Sequence, residues 1–430
     1  MTEVLFSFDT EDFTSNEAAD AIRDLANILR AEGIRGNFCM VGLLAQQLSA
    51  WGRGDVKEAL SHHEIQFHSY GHTLHPLLNE YTDVADFAAA KAEFLRREGE
   101  GIALVRQHLG VGALYAACPP GNSFSYVAFY AYPEMGLPAY IDTVVDSPDG
   151  GLWFCNGLHM QYVVSMESLF YDNSMTTQQL LERLRTRKRA VIYTHPNRVL
   201  FREFWDVVNY DKENLRPFGD WLPCAKEPPE RVAHYYSELR GLIRAMKADG
   251  GFTFTTVRSV LAAEQKKPAR VVRRGDCLAL LAALREAVNP VGNLSVADVF
   301  QAAVHFLRTE DDIFYPDKTY GFLEAPQGIT APVTVTAEEL RALAVGLELS
   351  AFLPPRIGAL GPADYLIAAL EALCGAQTVP LAPRAQQIDL APYPKLRDLQ
   401  LKGTWRHSDA FEDRFLSDRL RWQAWTLRNL

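Results

Sequence analysis

The chain is short of the features that most readily betray a function. Its six cysteines stand at positions 39, 118, 155, 224, 277 and 374, and no two form a C-x-x-C pair. That spacing excludes a zinc ribbon and a dense disulfide framework; isolated buried thiols in a reducing compartment are the simplest account. No stretch reaches the ~18 consecutive apolar residues that a membrane span needs, so no membrane association is expected. The opening MTEVLFSFDTED has neither a basic n-region nor a long apolar core, and a cytoplasmic location is expected. Positive charge is also scarce. Lys and Arg total 43 against 53 Asp and Glu, a formal net charge of -10, which argues against a nucleic-acid partner, because tracking phosphates takes a concentrated basic surface. The densest basic run, Arg183 to Arg189, precedes an apolar stretch and reads as a solvated helix face.

What is present is an ordinary globular composition, 48% hydrophobic and 22% charged, over 430 residues. That length exceeds what one hydrophobic core usually serves, so two domains and a tail are expected. The first part alternates short apolar runs with helical stripes. Val4 to Phe8 reads as a buried strand. Ala18 to Ala31 carries apolar residues at helical spacing and stops at Gly33. Gly36 to Gly42, Glu64 to His72 (a strand running into a polar loop), Ala113 to Cys118, Tyr140 to Val145, Leu158 to Ser165, Ala190 to His195 and Gly251 to Thr256 read as further extended pieces, separated by helices such as Asp83 to His108 and Arg231 to Asp249. Strand alternating with helix predicts an α/β fold with a parallel sheet, barrel or layered, whose functional groups gather at strand C-termini. Four polar clusters fall there: Asp9 to Asp12, His68 to His72, Pro119 to Ser125, and His195. At Gln265 to Pro268 the composition shifts to helical and Ala/Leu-rich. Leu294 to Leu307 with Val333 to Leu347, and Leu353 to Leu373, are loosely alike, with helix-starting residues Ser295, Thr336 and Pro362. The expected domains are 1–264, a helix-rich 265–400 of repeated units, and a tail or docked helix at 401–430 holding Trp405, Trp422 and Trp425.

Each polar cluster has a chemical reading and a plain one. His68 and His72 lie four apart, a spacing that shares a helix face and that a loop can also bring to one ion. Imidazole suits zinc and its first-row neighbours, whereas two surface histidines are the plain alternative. Asp9, Glu11 and Asp12 close a buried apolar run, where bare carboxylates need partners; helix capping competes with a site. In Cys118 to Ser123, Gly121 allows close backbone approach, and N–H groups at Gly121 or Asn122 could form an oxyanion hole, against a plain turn. His195 could hand a proton to a leaving amine, against a structural strand-end histidine.

Taken in order, the strand-end acids, H-S-Y-G-H at His68 to His72, the Pro-Gly turn and Tyr193-Thr194-His195 resemble the polysaccharide deacetylase family, the NodB-homology group or carbohydrate esterase family four. The resemblance covers about Met1 to Ala263. It implies a distorted (β/α) barrel, with a smaller, mainly helical C-terminal domain appended here. It also implies a divalent metal, zinc foremost with cobalt, nickel, manganese or iron as alternatives. His68, His72 and either Glu11 or Asp12 would be the ligands, Asp9 the catalytic base and His195 the acid, with Gly121, Asn122 and Tyr70 around the oxyanion or substrate. Asp142 or Asp146 would orient His195. Tyr70, Phe124, Tyr126, Trp153 and Trp205 could wall a sugar, with core packing as the competing role. One departure stands out. The family's third motif begins with an arginine that pairs with the catalytic aspartate, and Tyr115 to Gly121 contains none, leaving Arg198 as a candidate replacement. The implied activity is deacetylation of an N-acetylated sugar or polysaccharide. The competing readings are hydrolysis of a small cyclic imide, ureide or formamide, and a degenerate carbohydrate-binding or scaffold protein. The expected partner is a carbohydrate or small amide, with homo-oligomerisation left open.

Overall fold

A computed structural model of the chain describes residues 1–145, 147, 149–211, 214–217, 220–388 and 411–430. The chain divides into two compact units. The first holds Met1–Gly151, Leu158–Glu264 and a short segment ending at Arg414; the second holds Leu152–Gly157, the chain from Gln265 and Phe415–Leu430.

The first unit is built on a parallel sheet. Its strands are β1 (Thr2–Thr10), β2 (Asn37–Met40), β3 (Glu64–Phe67), β4 (Ala116–Ala117), β5 (Ala139–Ile141), β6 (Gly157–Met160), β7 (Tyr162–Ser165), β8 (Arg189–Thr194) and β9 (Phe252–Phe254). They run in the order β6-β5-β4-β3-β2-β1-β8-β7, and β9 pairs with the start of β1. Every one of these pairings is parallel. β1 is central, and Val4, Leu5, Phe6 and Phe8 are all buried, which is why it reads as a continuous apolar run rather than an alternation. The sheet is closed, as topology requires. β6 and β7 lie at the two ends of this run of parallel strands yet are separated in sequence by Gln161 alone. Consecutive Cα atoms sit about 3.8 Å apart, so the two edges must meet. A seam made by a chain crossing instead of a ladder gives the distorted barrel. The single extended piece expected over Leu158 to Ser165 is thus two strands on opposite edges.

Helices cover the barrel. In Ala18–Ala31 the residues Ile22, Leu25, Ala26 and Leu29 form the buried stripe, and truncating a leucine such as Leu25 there would cost about 2–5 kcal/mol. The long helix Phe87–Leu109 approaches the chain after β3 closely. A Cβ on Gly101 would stand 2.7 Å from the Cα of Tyr70, and one on Gly42 would stand 2.8 Å from the Cα of Gly101. Two glycines therefore let three backbones meet beside His68 to His72. The basic run does not behave as one solvated face. It spans the end of helix Thr177–Arg185 and the start of β8, where Arg189 is buried and pairs with Glu3 at 2.6 Å.

The second unit repeats one pattern. Strand Val272–Arg273, helix Cys277–Glu286, a bridge between Val291 and Leu294, and helix Val296–Arg308 return to strand Ile313–Phe314. Strand Val333–Thr336, helix Ala337–Val345, a bridge between Ile357 and Leu360, and helix Pro362–Leu373 return to strand Thr378–Leu381. In each half the first strand pairs antiparallel with the last. Gly292 and Gly358 occupy the same turn position with positive φ. Asp298 and Asp364 occupy the same third helical position. Both copies share one core, which also contains Trp425. The expected tail at 401–430 lies partly outside the described residues, Trp405 included. Among the thiols, Cys374 is exposed and Cys224 half-buried, so burial does not hold for all six. No helix among the described residues is long and apolar enough to cross a membrane.

Candidate active site

Residues two apart on a strand point the same way, and Asp9 and Glu11 at the end of β1 do so. Thr10 points the other way, its hydroxyl donating to the carbonyl of Cys39 at 2.6 Å. Asp9 and Glu11 are both buried. Beyond β3 the chain turns sharply, with Ser69 (φ 73°) and His72 (φ 55°) in the left-handed region, a conformation costing about 1–2 kcal/mol at each non-glycine residue. The hydroxyl of Ser69 accepts the His72 N–H at 2.9 Å, closing the turn. The histidine pair is therefore set by a loop, not a helix.

The two imidazoles converge on Glu11. His72 Nε2 stands 2.9 Å and His68 Nε2 3.8 Å from Glu11 Oε2. Their outer nitrogens are anchored. His68 Nδ1 lies 3.3 Å from the carbonyl oxygen of Cys118, which can only accept, so Nδ1 carries the proton and Nε2 offers a lone pair. His72 Nδ1 lies 3.5 Å from Asp206 Oδ2 and 3.3 Å from the Thr73 hydroxyl, which itself donates to Asp206 at 2.7 Å. One donor atom from each of Glu11, His68 and His72 falls within 4.8 Å of the others. Burial raises the Glu11 carboxyl, but the His72 charge and the imidazole hydrogen bonds outweigh it and hold the group well below the usual carboxylate range. Burial lowers His72 while Glu11 and Asp206 raise it, to about 10. Asp12 stands apart. Its Oδ1 accepts from Thr14 N, Thr14 Oγ1 and Ser15 N at 2.7–3.2 Å, closing a turn, and burial pushes the carboxyl up to about 6.

Asp9 forms a second group. Tyr162 Oη donates to Asp9 at 2.8 Å from Oδ1 and 3.0 Å from Oδ2, and Cys118 Sγ donates to Oδ1 at 3.3 Å. His195 Nε2 faces Asp9 Oδ2 at 3.8 Å. On the other side of that ring, Glu167 Oε1 lies 3.2 Å from Nδ1 and also accepts the His195 N–H at 2.5 Å and the Thr194 hydroxyl at 2.8 Å. Burial lowers the imidazole, but the Glu167 hydrogen bond and charge carry it up to about 9.

Several expected neighbours fall elsewhere. Glu167, not Asp142, holds His195; Asp142 accepts from Tyr162 N, and Asp146 lies outside the described residues. Arg198 does not reach Asp9: its guanidinium lies over the Phe204 ring and donates to the Arg202 carbonyl. Gly121 and Asn122 form a tight turn with positive φ, and Asn122 is exposed. The part of that segment meeting the site is Cys118. Tyr70 donates its backbone N–H to Glu98, and its phenol is under the influence of Glu100 and Arg97, on helix Phe87–Leu109. Tyr126 and Trp205 are fully buried and Phe124 nearly so, which makes them packing residues; Trp205 backs His72 at a ring distance of 6.3 Å. Sequence reasoning missed Glu167, Tyr162, Cys118 and Asp206. Cys118 reads in sequence as the end of a strand and the start of a turn, with nothing that points its thiol or carbonyl at Asp9 and His68, and Asp206 sits inside an interrupting aromatic segment with no spacing signal.

With this geometry in hand, the chain can be set against known proteins. It is similar in structure to family 4 carbohydrate esterases. One from Streptomyces lividans, solved with acetate, is 15% identical over 59% of this chain and 92% of its own, with a TM-score of 0.34. A putative polysaccharide deacetylase from Mycobacterium smegmatis is 18% identical over 63% and 94%, with a TM-score of 0.39. A pseudoenzyme of the same family from Bacillus anthracis is 12% identical over 45% and 55%, with a TM-score of 0.29. No protein-family model and no curated protein sequence matches the chain.

Proposed function

We propose that the chain is a metal-dependent hydrolase of C–N amide bonds that removes an acetyl group from an N-acetylated sugar. The observation that carries this reading is the convergence of two anchored imidazoles on one buried carboxylate, beside a separately held carboxylate–histidine pair. The donor set fits a divalent first-row ion. Two nitrogens and one carboxylate suit zinc with positions left open, and Glu11 Oε1 is buried without a hydrogen-bond partner among the described residues. Glu11, His68 and His72 would hold the ion, and binding would displace the His72 proton. When bound, such an ion supplies Lewis-acid polarisation of the carbonyl and acidifies a water.

The remaining work falls to side chains already in place. Asp9 takes the proton of the attacking water through Oδ2, the oxygen that faces His195. His195, kept protonated by Glu167, gives its proton to the departing amine. Asp206 and Thr73 hold the His72 ring, and the Cys118 carbonyl holds that of His68. The sugar as substrate comes from the motif resemblance. One observation favours a compact amide such as a cyclic imide, ureide or formamide as a second reading: Asp9, Glu11 and His68 are at most 4% exposed, and the His195 side chain, at 21%, is the most accessible of the reacting groups.

The test loads the chain with zinc, cobalt or manganese, measures bound metal, and assays acetate release from N-acetylglucosamine and its oligomers alongside ammonia or ring-opened product from small amides. Acetate release that disappears in His72→Ala supports the deacetylase reading. Release only from small amides favours the second. No bound metal and no turnover would leave the degenerate binding protein standing.

A further inference from the structure

Among the described residues, His195 is the one cationic group paired with the carboxylate proposed as base, so something else must set its orientation. We infer that Tyr162 is the positioning residue of Asp9, holding Oδ1 by its hydroxyl so that Oδ2 is presented as the proton acceptor. This rests on the hydrolase reading above and adds a residue to it.

The placement of Tyr162 is built into the strand. β7 and β8 pair in parallel, with Tyr162 opposite Val191 and Val164 opposite Ile192. Two steps on β7 therefore match one on β8, a bulge at Val163, and bulges re-aim the side chains around them. The Tyr162 ring lies flat on that of Tyr193, with centroids 4.0 Å apart and planes 8° apart, which removes ring rotation. Its backbone N–H is tied to Asp142 Oδ1 at 3.3 Å. Ring and backbone are thus each constrained independently of Asp9. The hydroxyl lies nearer Oδ1 than Oδ2, and Cys118 adds its weaker S–H donor to the same oxygen. Oδ1 thus carries both neutral donors, whereas Oδ2 shares only the tyrosine hydroxyl, at 3.0 Å, and faces His195 at 3.8 Å. A buried phenol resists ionisation, and here burial and the Asp9 charge push it well above its ordinary value, so Tyr162 remains a donor whatever Asp9 does. Tyr162 acts through Asp9, as the donor that fixes its carboxylate.

The test is a double-mutant cycle on the metal-loaded chain. Tyr162→Phe removes one buried oxygen and keeps the stacked ring. It should lower kcat about 10–100-fold, the scale of a misplaced reacting group, with KM changed less than about twofold and metal content unchanged. In an Asp9→Asn background the same change should add less than about twofold, because the group being positioned is already gone. Cys118→Ala should cost less than Tyr162→Phe, and thermal melting of each variant separates misfolding from misplacement. The inference falls if Tyr162→Phe leaves kcat within twofold, if it costs as much in the Asp9→Asn background as in the parent, or if Cys118→Ala costs more. If Tyr162→Phe does not fold, an Asp9 effect on kcat combined with a full loss in Cys118→Ala assigns the role to the thiol and overturns the inference. A parent chain that binds metal yet turns over no amide fails the proposed function itself, a result visible before any Tyr162 variant is made.

Discussion

Asp298 in the helical unit is fully buried, and each of its oxygens is occupied: Oδ1 by the guanidinium of Arg270 and Oδ2 by the backbone N–H of Ser295, whose hydroxyl returns a bond to the Asp298 N–H. Glu11 in the barrel unit is buried to nearly the same degree. Its Oε2 is shared between two imidazoles, and its Oε1 has no hydrogen-bond partner among the described residues. A desolvated carboxylate is costly either way. Saturating it with local donors makes a cap that locks a helix start to the strand before it. Leaving an oxygen open and surrounding it with nitrogens makes a place for a cation. An open oxygen alone does not decide the matter: Asp12, held through Oδ1 by Thr14 and Ser15, also keeps a buried Oδ2 without a partner among the described residues, and what distinguishes Glu11 is the pair of imidazoles converging on it.

The contrast can be broken most directly at the histidines. His72→Ala should abolish stoichiometric metal binding, read by elemental analysis, and reduce turnover roughly a thousandfold; retained metal with lost stability would make the cluster structural. Asp298→Ala should do the reverse. It strands Arg270 and opens a helix start, costing about 3 kcal/mol in denaturant unfolding while metal content stays unchanged. Asp206→Asn sharpens the picture, because only the second partner of His72 changes: metal affinity should weaken about 10–100-fold with the fold intact. Glu167→Gln should bring the His195 midpoint, followed by NMR, from about 9 down toward the ordinary 6.5. The sign follows from linkage. Because the folded value is raised, the stability from this pair is complete below 6.5 and fades as pH rises through about 9, and the variant should lose that dependence. The smallest effect belongs to the cap. Ser295→Ala should cost about 1 kcal/mol and touch nothing in the barrel unit.

Strands ending in polar clusters were legible because parallel strands buried on both faces must be apolar and must stop where charge begins; β1 and β8 show this. The stripe over Ala18 to Ala31 was legible for the same reason, since a period near 3.6 has one structural meaning. The two-strand nature of Leu158 to Ser165 was not, because no residue there marks the passage from one edge of the sheet to the other. Nor was the choice between Glu11 and Asp12. Adjacent acids carry the same chemistry, and only the direction of the side chain at a strand end tells them apart.

By itself, then, the amino-acid order determined the local periods, the break near Gln265, and the residue types available at the strand ends, since these depend on neighbours within a few positions. The tertiary structure alone decided that Glu11 meets both imidazoles, that Glu167 and not Asp142 backs His195, and that a tyrosine from a bulged strand stands at the carboxylate where an arginine was sought. Those contacts join residues 28 to 153 positions apart, and no local pattern encodes a distance that only barrel closure creates.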